Sequence, residues 1–296
     1  MIQGEPNTEG RIAMNGPHDT FVLRNGYEIP CIGFGTWKMP NDQSTVDVIR
    51  TAVDAGYRHI DTAAAYDNEE TVGKAIASLD IPRSEMFVTS KLWNTERGYE
   101  STLAAFDASM KKLGLEYLDL YLIHWPAARG SEEEWQKTNA DTWRAFEKLY
   151  NDGFVRAIGV SNFKPHHLEP LMKESEIDPM VNQIEMHPGF PQTETRDFCD
   201  LSGILVEAWS PLGQGKVLDD DRLIEMAASY EVTVAQLCIR WILQNGAVPL
   251  PKSTTPERIR ENADVFRFEI SADDMRKINE LEQFGMSGLD PDEVDF

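Results

Sequence analysis

The 296-residue chain has little of several things that would otherwise suggest a class of protein. It has three cysteines, Cys31, Cys199 and Cys238, with no C-x-x-C spacing, so we expect neither a disulfide framework nor a zinc site. Basic residues are also scarce, since 28 lysines and arginines stand against 50 acidic residues, for a net charge of -22. Because nucleic acids and anionic membrane surfaces both attract clustered cations, we expect neither of them as a partner.

The sequence also lacks an apolar run of the ~18–20 residues that a membrane span needs. Residues 1–20 are polar and have no apolar core of the kind that a secretory signal carries. We therefore expect a disordered N-terminal extension over residues 1–20, a single domain over residues 21–296, and a cytoplasmic protein.

From Phe21 onward, short β-branched or aromatic runs alternate with longer stretches of helical period. A hairpin comes first, because Asn25-Gly26 is typical of a two-residue turn that needs positive φ. Eight runs are predicted to be the strands of one sheet: Cys31–Gly35, His59–Thr62, Met86–Ser90, Leu118–Ile123, Val155–Val160, Val181–Ile184, Ile204–Ala208 and Val248–Leu250. The predicted helices include Thr45–Ala55 capped by Ser44, Tyr99–Leu113, Asp141–Asn151 and Val234–Gln244, with extra helices near Arg222–Tyr230 and Ala272–Glu282.

Alternation of strand and helix predicts a parallel sheet, because each helix returns the chain to the edge where the next strand starts. Eight such units can close on themselves. The sequence therefore favours an α/β fold, a (β/α)8 barrel with an N-terminal hairpin and two extra helices. An open, doubly wound sheet is the alternative that the periodicity leaves open.

Polar or ionisable residues lie at the carboxyl end of every predicted strand, which we call the strand exit and where (β/α)8 barrels carry their chemistry. In chain order the exits hold Gly35-Thr36-Trp37, Asp61 with Tyr66, Lys91, His124-Trp125, Ser161-Asn162, Gln183 with Glu185, Trp209-Ser210 and Lys252-Ser253. The dinucleotide fingerprint G-x-G-x-x-G is absent, because Lys38 stands where the third glycine after Gly33 and Gly35 would be. A Rossmann enzyme is therefore unsupported.

From about Phe21 to Phe296 the sequence resembles the aldo-keto reductases. The resemblance rests on ordered runs: Gly33–Trp37, Asp54–Ala63, Ser90–Trp93, Leu118–Pro126, Ile158–Phe163, Asn182–Glu185, Ser210–Gly213 and Pro251–Ser253, followed by Arg258 and Glu261-Asn262. Trp209, the run Pro211–Lys216 and the tail Pro291–Phe296 are most similar to the bacterial 2,5-diketo-D-gluconate reductases. The resemblance implies a monomeric enzyme that passes a hydride from NADPH to a small carbonyl substrate.

The same resemblance assigns four catalytic residues. Tyr66 would be the proton donor, and Lys91 would bring the pKa of its phenol down from ~10 towards the working range. Asp61 would hold the Lys91 ammonium in a buried ion pair. His124 would donate a hydrogen bond to the carbonyl oxygen as charge develops on it.

The resemblance also implies a site for NADPH or NADP+. Its residues would be Gly35, Thr36, Trp37, Asp61, Ser161, Asn162, Gln183, Trp209, Ser210, Leu212, Gln214, Lys252, Ser253, Thr254, Arg258, Glu261 and Asn262. Ser161, Asn162 and Gln183 would hold the carboxamide, and Trp209 would stack on the nicotinamide ring. Lys252 and Arg258 would bind the 2′-phosphate, which favours NADPH over NADH.

Trp37, Trp93 and Trp125 would form the apolar walls of the substrate pocket, with Tyr66 and His124 as its polar groups. The implied substrate is an aldehyde or a ketone. By the resemblance to the diketogluconate reductases, a keto-sugar acid such as 2,5-diketo-D-gluconate is one such compound.

Two other functions stay open at this point. Some proteins of this superfamily are NADP(H)-binding regulatory subunits of ion channels with little turnover, and a (β/α)8 hydrolase or isomerase could use Asp61 and Glu185 as paired carboxylates. We expect no metal site, because the adjacent imidazoles of His166 and His167 would not share a helix face. The acidic run Glu132–Glu134 is expected to lie in a solvated loop.

Overall fold

The computed structural model describes residues 14–294 and residue 296. Residues 1–13 of the predicted disordered extension lie outside the described residues. For residues 14–20 the prediction of disorder is wrong, because Met14 is buried and its main-chain oxygen accepts a hydrogen bond from Arg240 Nη1 at 3.2 Å. Thr20 already belongs to the first strand.

The chain enters the fold through an antiparallel hairpin, β1 (Thr20–Val22) and β2 (Glu28–Pro30). The hairpin is confirmed, but the two-residue turn is wrong. Leu23 N donates to Tyr27 O at 2.9 Å, so three residues form the loop between them. Of these three, only Gly26 has a positive φ, +83°, as in a type I turn followed by a left-handed glycine.

Eight parallel strands follow, one for each predicted strand. They are β3 (Phe34–Gly35), β4 (His59–Asp61), β5 (Phe87–Leu92), β6 (Leu118–Ile123), β7 (Val155–Ser161), β8 (Val181–Glu185), β9 (Leu205–Trp209) and β10 (Val248–Pro249). Each strand pairs with the next in chain order. Gly33 N donates to Pro249 O and Gly35 N to Pro251 O, both at 3.0 Å, which joins the first strand to the last. The sheet is therefore a closed barrel, and the open-sheet alternative is wrong.

Helices connect the strands on the outside of the barrel. They are α1 (Gln43–Asp54), α2 (Glu69–Ala77), α3 (Tyr99–Leu113), α4 (Glu132–Asn151), α5 (Pro165–Glu174), α6 (Thr193–Leu201), α7 (Asp221–Ser229), α8 (Val234–Gln244), α9 (Pro256–Ala263) and α10 (Ala272–Asn279). Two of them, α7 and α10, are additional to the eight barrel units, which confirms the predicted pair of extra helices. No helix in the described part of the chain has the length and apolar content to cross a membrane.

Two predicted helix starts are wrong. Helix α1 is capped by Asp42, which accepts a hydrogen bond from Ser44 N at 2.9 Å, so Ser44 lies inside the first turn. The acidic run Glu132–Glu134 is the first turn of α4, not a loop, and Ser131 and Glu134 form a capping box there. Carboxylates in this position are stabilised by the positive end of the helix dipole.

The barrel strands are buried because helices cover the sheet from outside and side chains fill it from inside. Strands β5 and β6 are buried at every position. An ionisable side chain on such a strand therefore enters a region of low dielectric, where its charge must be compensated by a partner.

Candidate active site

Lys91 is fully buried near the end of β5, at the carboxyl end of the barrel. Its Nζ donates to Asp61 Oδ1 at 2.7 Å, to Asp61 Oδ2 at 2.8 Å and to Thr62 O at 2.9 Å. Asp61 ends the adjacent strand β4, so parallel pairing brings the two charges together. Burial lowers the pKa of Lys91, but Asp61 and Tyr66 outweigh burial, and the net pKa of Lys91 is above its ordinary value. Lys91 is therefore charged at neutral pH.

Tyr66 ends a single turn of 3₁₀ helix, Ala64–Tyr66, that follows β4. Lys91 Nζ lies 3.4 Å from the Tyr66 hydroxyl, within hydrogen-bond distance. Burial raises the pKa of the phenol more than the Lys91 charge lowers it, so the net pKa of Tyr66 is above its ordinary value. The predicted net lowering by Lys91 is therefore wrong here, because desolvation outweighs the single cation. Tyr66 is protonated at neutral pH, the state from which a proton can be donated.

His124 directly follows β6 and packs beside Tyr66. The imidazole contacts Tyr66 edge-on at 5.7 Å between ring centroids and Trp93 at 5.3 Å. Burial, and then the charge of Lys91, hold the pKa of His124 well below its usual range, so the ring is neutral and carries one N–H. Its Nδ1 has no hydrogen-bond partner among the described residues. The structure thus brings all four predicted catalytic residues together.

Trp93 and Trp125 lie beside this group, and Phe296 packs against both of them. The Phe296 ring is 5.6 Å from Trp93 and nearly parallel to it, and 5.4 Å from Trp125 and nearly perpendicular. Trp37, by contrast, is 40% exposed at the exit of β3. Phe296 was not among the predicted site residues, because an irregular segment after the last helix has no periodicity that shows where its rings pack.

Ser161, Asn162, Gln183 and Trp209 form one hydrogen-bonded group at three neighbouring strand exits. Ser161 Oγ donates to Gln183 O at 2.8 Å, and Asn162 Nδ2 donates to His124 O at 3.0 Å. Trp209 Nε1 donates to Asn162 Oδ1 at 2.8 Å. The indole nitrogen is thereby fixed while the Trp209 side chain stays partly exposed, so an aromatic face is available beside the four predicted catalytic residues.

Gly35 and Thr36 approach Asp61 from the other side. Thr36 Oγ1 and Thr36 N both donate to Asp61 O, at 2.9 and 3.0 Å. Both residues are buried, so the segment predicted to border the cofactor is packed against the ion pair.

The segment after β9 turns sharply, with left-handed backbone at Ser210 (φ +48°) and Gln214 (φ +56°). Such conformations are uncommon in residues other than glycine and are concentrated at functional sites. Leu212 is partly buried between them and Gln214 is exposed. The three residues predicted to line the pyrophosphate therefore lie on one rim of the site.

Lys252, Ser253 and Thr254 follow β10 and lead directly into α9, which carries Arg258. Lys252 and Arg258 are exposed, and the ion pairs found between described residues include neither of them. A phosphate here would meet two available cations near a helix N-terminus, so the donor set fits a 2′-phosphate.

Glu261 and Asn262 lie further along the same helix, α9. Asn262 is buried, and Glu261 Oε1 accepts a hydrogen bond from Thr233 Oγ1 at 2.9 Å. One carboxylate oxygen of Glu261, which was predicted to contact the adenine, is therefore already hydrogen-bonded within the protein.

The prediction that the imidazoles of His166 and His167 would not share a helix face is wrong. Both Nε2 atoms reach Asp292 Oδ1, at 2.8 and 3.0 Å, because this tail carboxylate draws the two rings to one point, and the three ligand atoms lie within 4.8 Å of one another. Burial lowers the pKa of His167 to about 4, so the ring is neutral. Lys164 N donates to His167 Nδ1 at 3.2 Å, which leaves the hydrogen on Nε2, directed at Asp292. In this arrangement the group anchors the tail.

Glu185, the second carboxylate of the hydrolase alternative, is not paired with Asp61. Its two oxygens accept hydrogen bonds from Ser287 N at 2.8 Å and from Ser287 Oγ at 2.6 Å. Asp61 is held by Lys91 instead. The geometry therefore gives no support to a two-carboxylate mechanism.

Glu207, a fully buried carboxyl in the middle of β9, was also not among the predicted site residues. Gln183 Nε2 donates to Glu207 Oε2 at 2.8 Å and to Asp61 Oδ2 at 2.9 Å. Burial, and then the charge of Asp61, raises the pKa of Glu207 to about 8. The sequence does contain one indication of this group, because Glu207 is the single charged residue within the apolar run Leu205–Trp209.

The chain is similar in sequence and in structure to known reductases. The model of the Aldo/keto reductase family matches residues 31–283. The glyoxal reductase of Bacillus subtilis (strain 168) is 51% identical over 278 residues, which are 94% of this chain and 98% of that protein. The crystal structure of MGS-M4, an aldo-keto reductase enzyme from a Medee basin deep-sea metagenome library, has a TM-score of 0.88 at 44% identity and covers 93% of this chain and 100% of its own. A Gox0644 mutant in complex with NADPH has a TM-score of 0.87 at 43% identity, over 94% of this chain and 99% of its own.

Proposed function

Because this chain belongs to the aldo/keto reductase family, we propose that it reduces small, uncharged aldehydes and 1,2-dicarbonyl compounds beside Tyr66 and His124. It is an NADP-dependent oxidoreductase that binds NADPH and acts on carbonyl groups. The alternative of a regulatory subunit with little turnover is therefore not favoured.

One observation carries the proposed catalytic roles. The Tyr66 hydroxyl lies 3.4 Å from the ammonium of a fully buried lysine, which Asp61 holds through both carboxylate oxygens. A phenol next to a fixed cation can lose a proton within the protein, because the phenolate that forms is compensated at once.

Reduction of the carbonyl requires a hydride and a proton, and Tyr66, His124 and Lys91 act on the proton and on the charge. NADPH supplies the hydride when it is bound. The carbonyl oxygen accepts hydrogen bonds from the Tyr66 hydroxyl and from the His124 N–H, which stabilise the negative charge that develops on it. The Tyr66 proton moves to that oxygen and completes the alcohol, and Lys91 stabilises the phenolate that remains.

The cofactor contacts are part of the same proposal. Ser161, Asn162 and Gln183 hold the carboxamide, and Trp209 stacks on the nicotinamide ring. Lys252 and Arg258 bind the 2′-phosphate. Two exposed cations without an ion-pair partner among the described residues support this assignment, since a phosphate dianion gains most from charge-assisted hydrogen bonds.

Substrate class follows from what surrounds the catalytic group. The walls are the rings of Trp93, Trp125 and Phe296, and the polar groups are those of Tyr66 and His124. Such a pocket suits a small compound without charge. A relative named glyoxal reductase at 51% identity supports a 1,2-dicarbonyl.

A keto-sugar acid such as 2,5-diketo-D-gluconate is the competing substrate. Its carboxylate would need a cation in the pocket. Arg97 Nη2 donates to Trp125 O at 3.0 Å and to Pro126 O at 2.8 Å, and the charge of Lys91 is compensated by Asp61. The ion pair of Lys91 supports the uncharged substrates.

Initial rates of NADPH consumption with glyoxal, methylglyoxal and 2,5-diketo-D-gluconate test this choice. We expect kcat/KM for methylglyoxal to exceed that for the keto-sugar acid by about tenfold or more, because the carboxylate would enter this pocket without a counterion. A higher kcat/KM for 2,5-diketo-D-gluconate would reverse the assignment. No turnover with any of the three compounds would contradict the proposed substrate class.

We also propose that the protein acts in the cytoplasm as a monomer. Its three cysteines are all buried and unpaired, which is typical of a reducing compartment. Light scattering of the purified protein measures the oligomeric state directly.

A further inference from the structure

Glu207 is a buried carboxyl group for which the proposed mechanism has no role. Its Oε2 accepts the hydrogen bond from Gln183, and its Oε1 lies 3.7 Å from His59 Nε2 on β4. No described residue makes a hydrogen bond to Oε1. The carboxyl group thus lies inside the barrel, beneath the exits that carry the catalytic residues.

The ionisable groups facing Glu207 are His59 and Asp61 on β4 and Lys91 on β5. Lys91 and Asp61 already compensate each other, and burial, followed by the charge of Lys91, lowers the pKa of His59 to about 3. An ionised Glu207 would therefore have no counterion of its own. Together with the raised pKa of Glu207, this makes it a neutral hydrogen-bonding group at neutral pH.

What Glu207 binds is the amide of Gln183. That amide nitrogen has two N–H groups, and both are directed at carboxyl oxygens, one of Asp61 and one of Glu207. The group that Gln183 has left for a ligand is its carbonyl oxygen, Oε1. The carboxamide of a nicotinamide carries an NH2 group, which is the complementary donor.

We propose that Glu207 is a positioning residue for the cofactor: by accepting one N–H of Gln183, it fixes the orientation of that amide, so that Oε1 faces the carboxamide NH2. The inference rests on the proposed contact between Gln183 and the nicotinamide. It does not depend on which carbonyl compound is the substrate.

The test compares the binding of NADP+ with that of its 3-acetylpyridine analogue, in which a methyl ketone without N–H replaces the carboxamide. Dissociation constants come from quenching of tryptophan fluorescence, so no turnover is needed. For the unmodified protein we expect NADP+ to bind about tenfold more tightly than the analogue, the scale of one hydrogen bond left unmade.

Glu207→Leu removes the acceptor, and we expect the tenfold preference to fall to below about threefold. Glu207→Gln should retain the preference, because its amide oxygen can accept the same N–H of Gln183. If the leucine variant does not fold, Glu207→Asp replaces it, since the shorter side chain withdraws the carboxyl by about 1.5 Å. A leucine or aspartate variant with the full preference would overturn the proposal.

Two controls separate this inference from the proposed cofactor site. Gln183→Leu should also lose the preference, and the double variant should lose no more than the single ones. Glu69→Leu removes another fully buried carboxyl, one that accepts from Ser90 Oγ at 2.7 Å, and should keep the preference. A Gln183→Leu variant with the full preference, or an unmodified protein without one, would contradict the cofactor contact itself. Loss in Gln183→Leu but not in Glu207→Leu would contradict the role of Glu207 alone.

Discussion

The amino end of the barrel holds a buried aspartate, a cation and a tyrosine, as the carboxyl end does, but the hydrogen bonds are arranged differently. Asp119 Oδ2 accepts from Arg83 Nη2 at 2.6 Å and from Val88 N at 2.9 Å, and Asp119 Oδ1 accepts from Tyr27 OH at 2.7 Å. Burial, and then Asp119, raises the pKa of Tyr27 far above its ordinary value. The phenol proton is thereby committed to the carboxylate, and the three groups hold the hairpin on the barrel.

At the carboxyl end, Tyr66 donates to no carboxylate in the described part of the chain. Its hydroxyl faces Lys91 instead, and its ring packs against His124. The aspartate there binds the cation and leaves the phenol proton for a ligand. A carboxylate, a cation and a phenol therefore stabilise the fold at one end and are available for catalysis at the other, and the partner of the phenol makes the difference.

The comparison is tested most strongly by removing each phenol hydroxyl in turn. Tyr66→Phe should lower kcat by about 1,000-fold, because it removes the proposed proton donor, while the dissociation constant of NADPH changes by less than about twofold. Tyr27→Phe should leave kcat within about twofold and cost roughly 1–2 kcal/mol of unfolding free energy through the lost buried hydrogen bond. Steady-state rates and denaturant unfolding give these values. A Tyr66→Phe enzyme with full turnover would remove the distinction between the two ends.

The cations provide the second test. Lys91→Met should lower kcat by about 100-fold, because nothing else compensates the phenolate of Tyr66. Arg83→Met should leave kcat nearly unchanged but lower the unfolding free energy by roughly 2–4 kcal/mol, since Asp119 loses its counterion. The measurements are kcat and urea unfolding for both variants. If Arg83→Met lost turnover as severely as Lys91→Met, the division of roles between the two ends would be wrong.

The third test concerns the cations that are proposed to bind the cofactor at the carboxyl end. Arg258→Met should raise the dissociation constant of NADPH by about tenfold or more and leave that of NADH unchanged, because the 2′-phosphate is the proposed partner. The matched control is Arg156→Met at the amino end, where the guanidinium lies 4.7 Å from the ring centre of Tyr117. We expect no change in either affinity for that variant. Fluorescence titration measures both.

The last expected effect is a pH dependence of stability. Folding raises the pKa of Glu207 from 4.5 to about 8, so the neutral carboxyl favours the folded state fully below pH 4.5 and that contribution is lost as the pH rises to about 8. Glu207→Gln cannot ionise, so its Tm relative to the unmodified protein should rise between pH 5 and pH 8 by about 5 °C and stay level above. Calorimetry across this range measures the difference. A Tm difference independent of pH would mean that Glu207 has an ordinary pKa in the fold.

Much of the fold follows from the sequence because parallel strands covered on both sides leave a clear apolar signal. The run Leu118–Ile123 is the predicted strand and the observed one, residue for residue. The strand exits were equally readable, since polar residues such as Asp61, Lys91 and His124 break apolar runs. Their assignment to a mechanism came from the family resemblance, and the structure adds the distances between them.

The rest depends on tertiary contacts that no local pattern contains. The Phe296 ring is placed by Trp93 and Trp125, which lie on two other strand exits. Glu207 is neutral because it is buried and faces the charge of Asp61, whereas the sequence alone shows only another acidic residue. The first turn of α4 has no apolar pattern that predicts a helix, because its carboxylates are stabilised by the helix N-terminus and not by hydrophobic packing.

The segment after α10 is fastened to the barrel at positions far away in the sequence. Ser287 binds Glu185 at the exit of β8, and Asp292 binds Lys164 at 2.7 Å at the start of α5. The position of the Phe296 ring in the pocket therefore depends partly on residues of the barrel. A chimera that takes only residues 285–296 into a related enzyme would leave those anchors behind and misplace Phe296. Variants in which this segment is exchanged between related enzymes should therefore exchange Glu185 and Lys164 together with it.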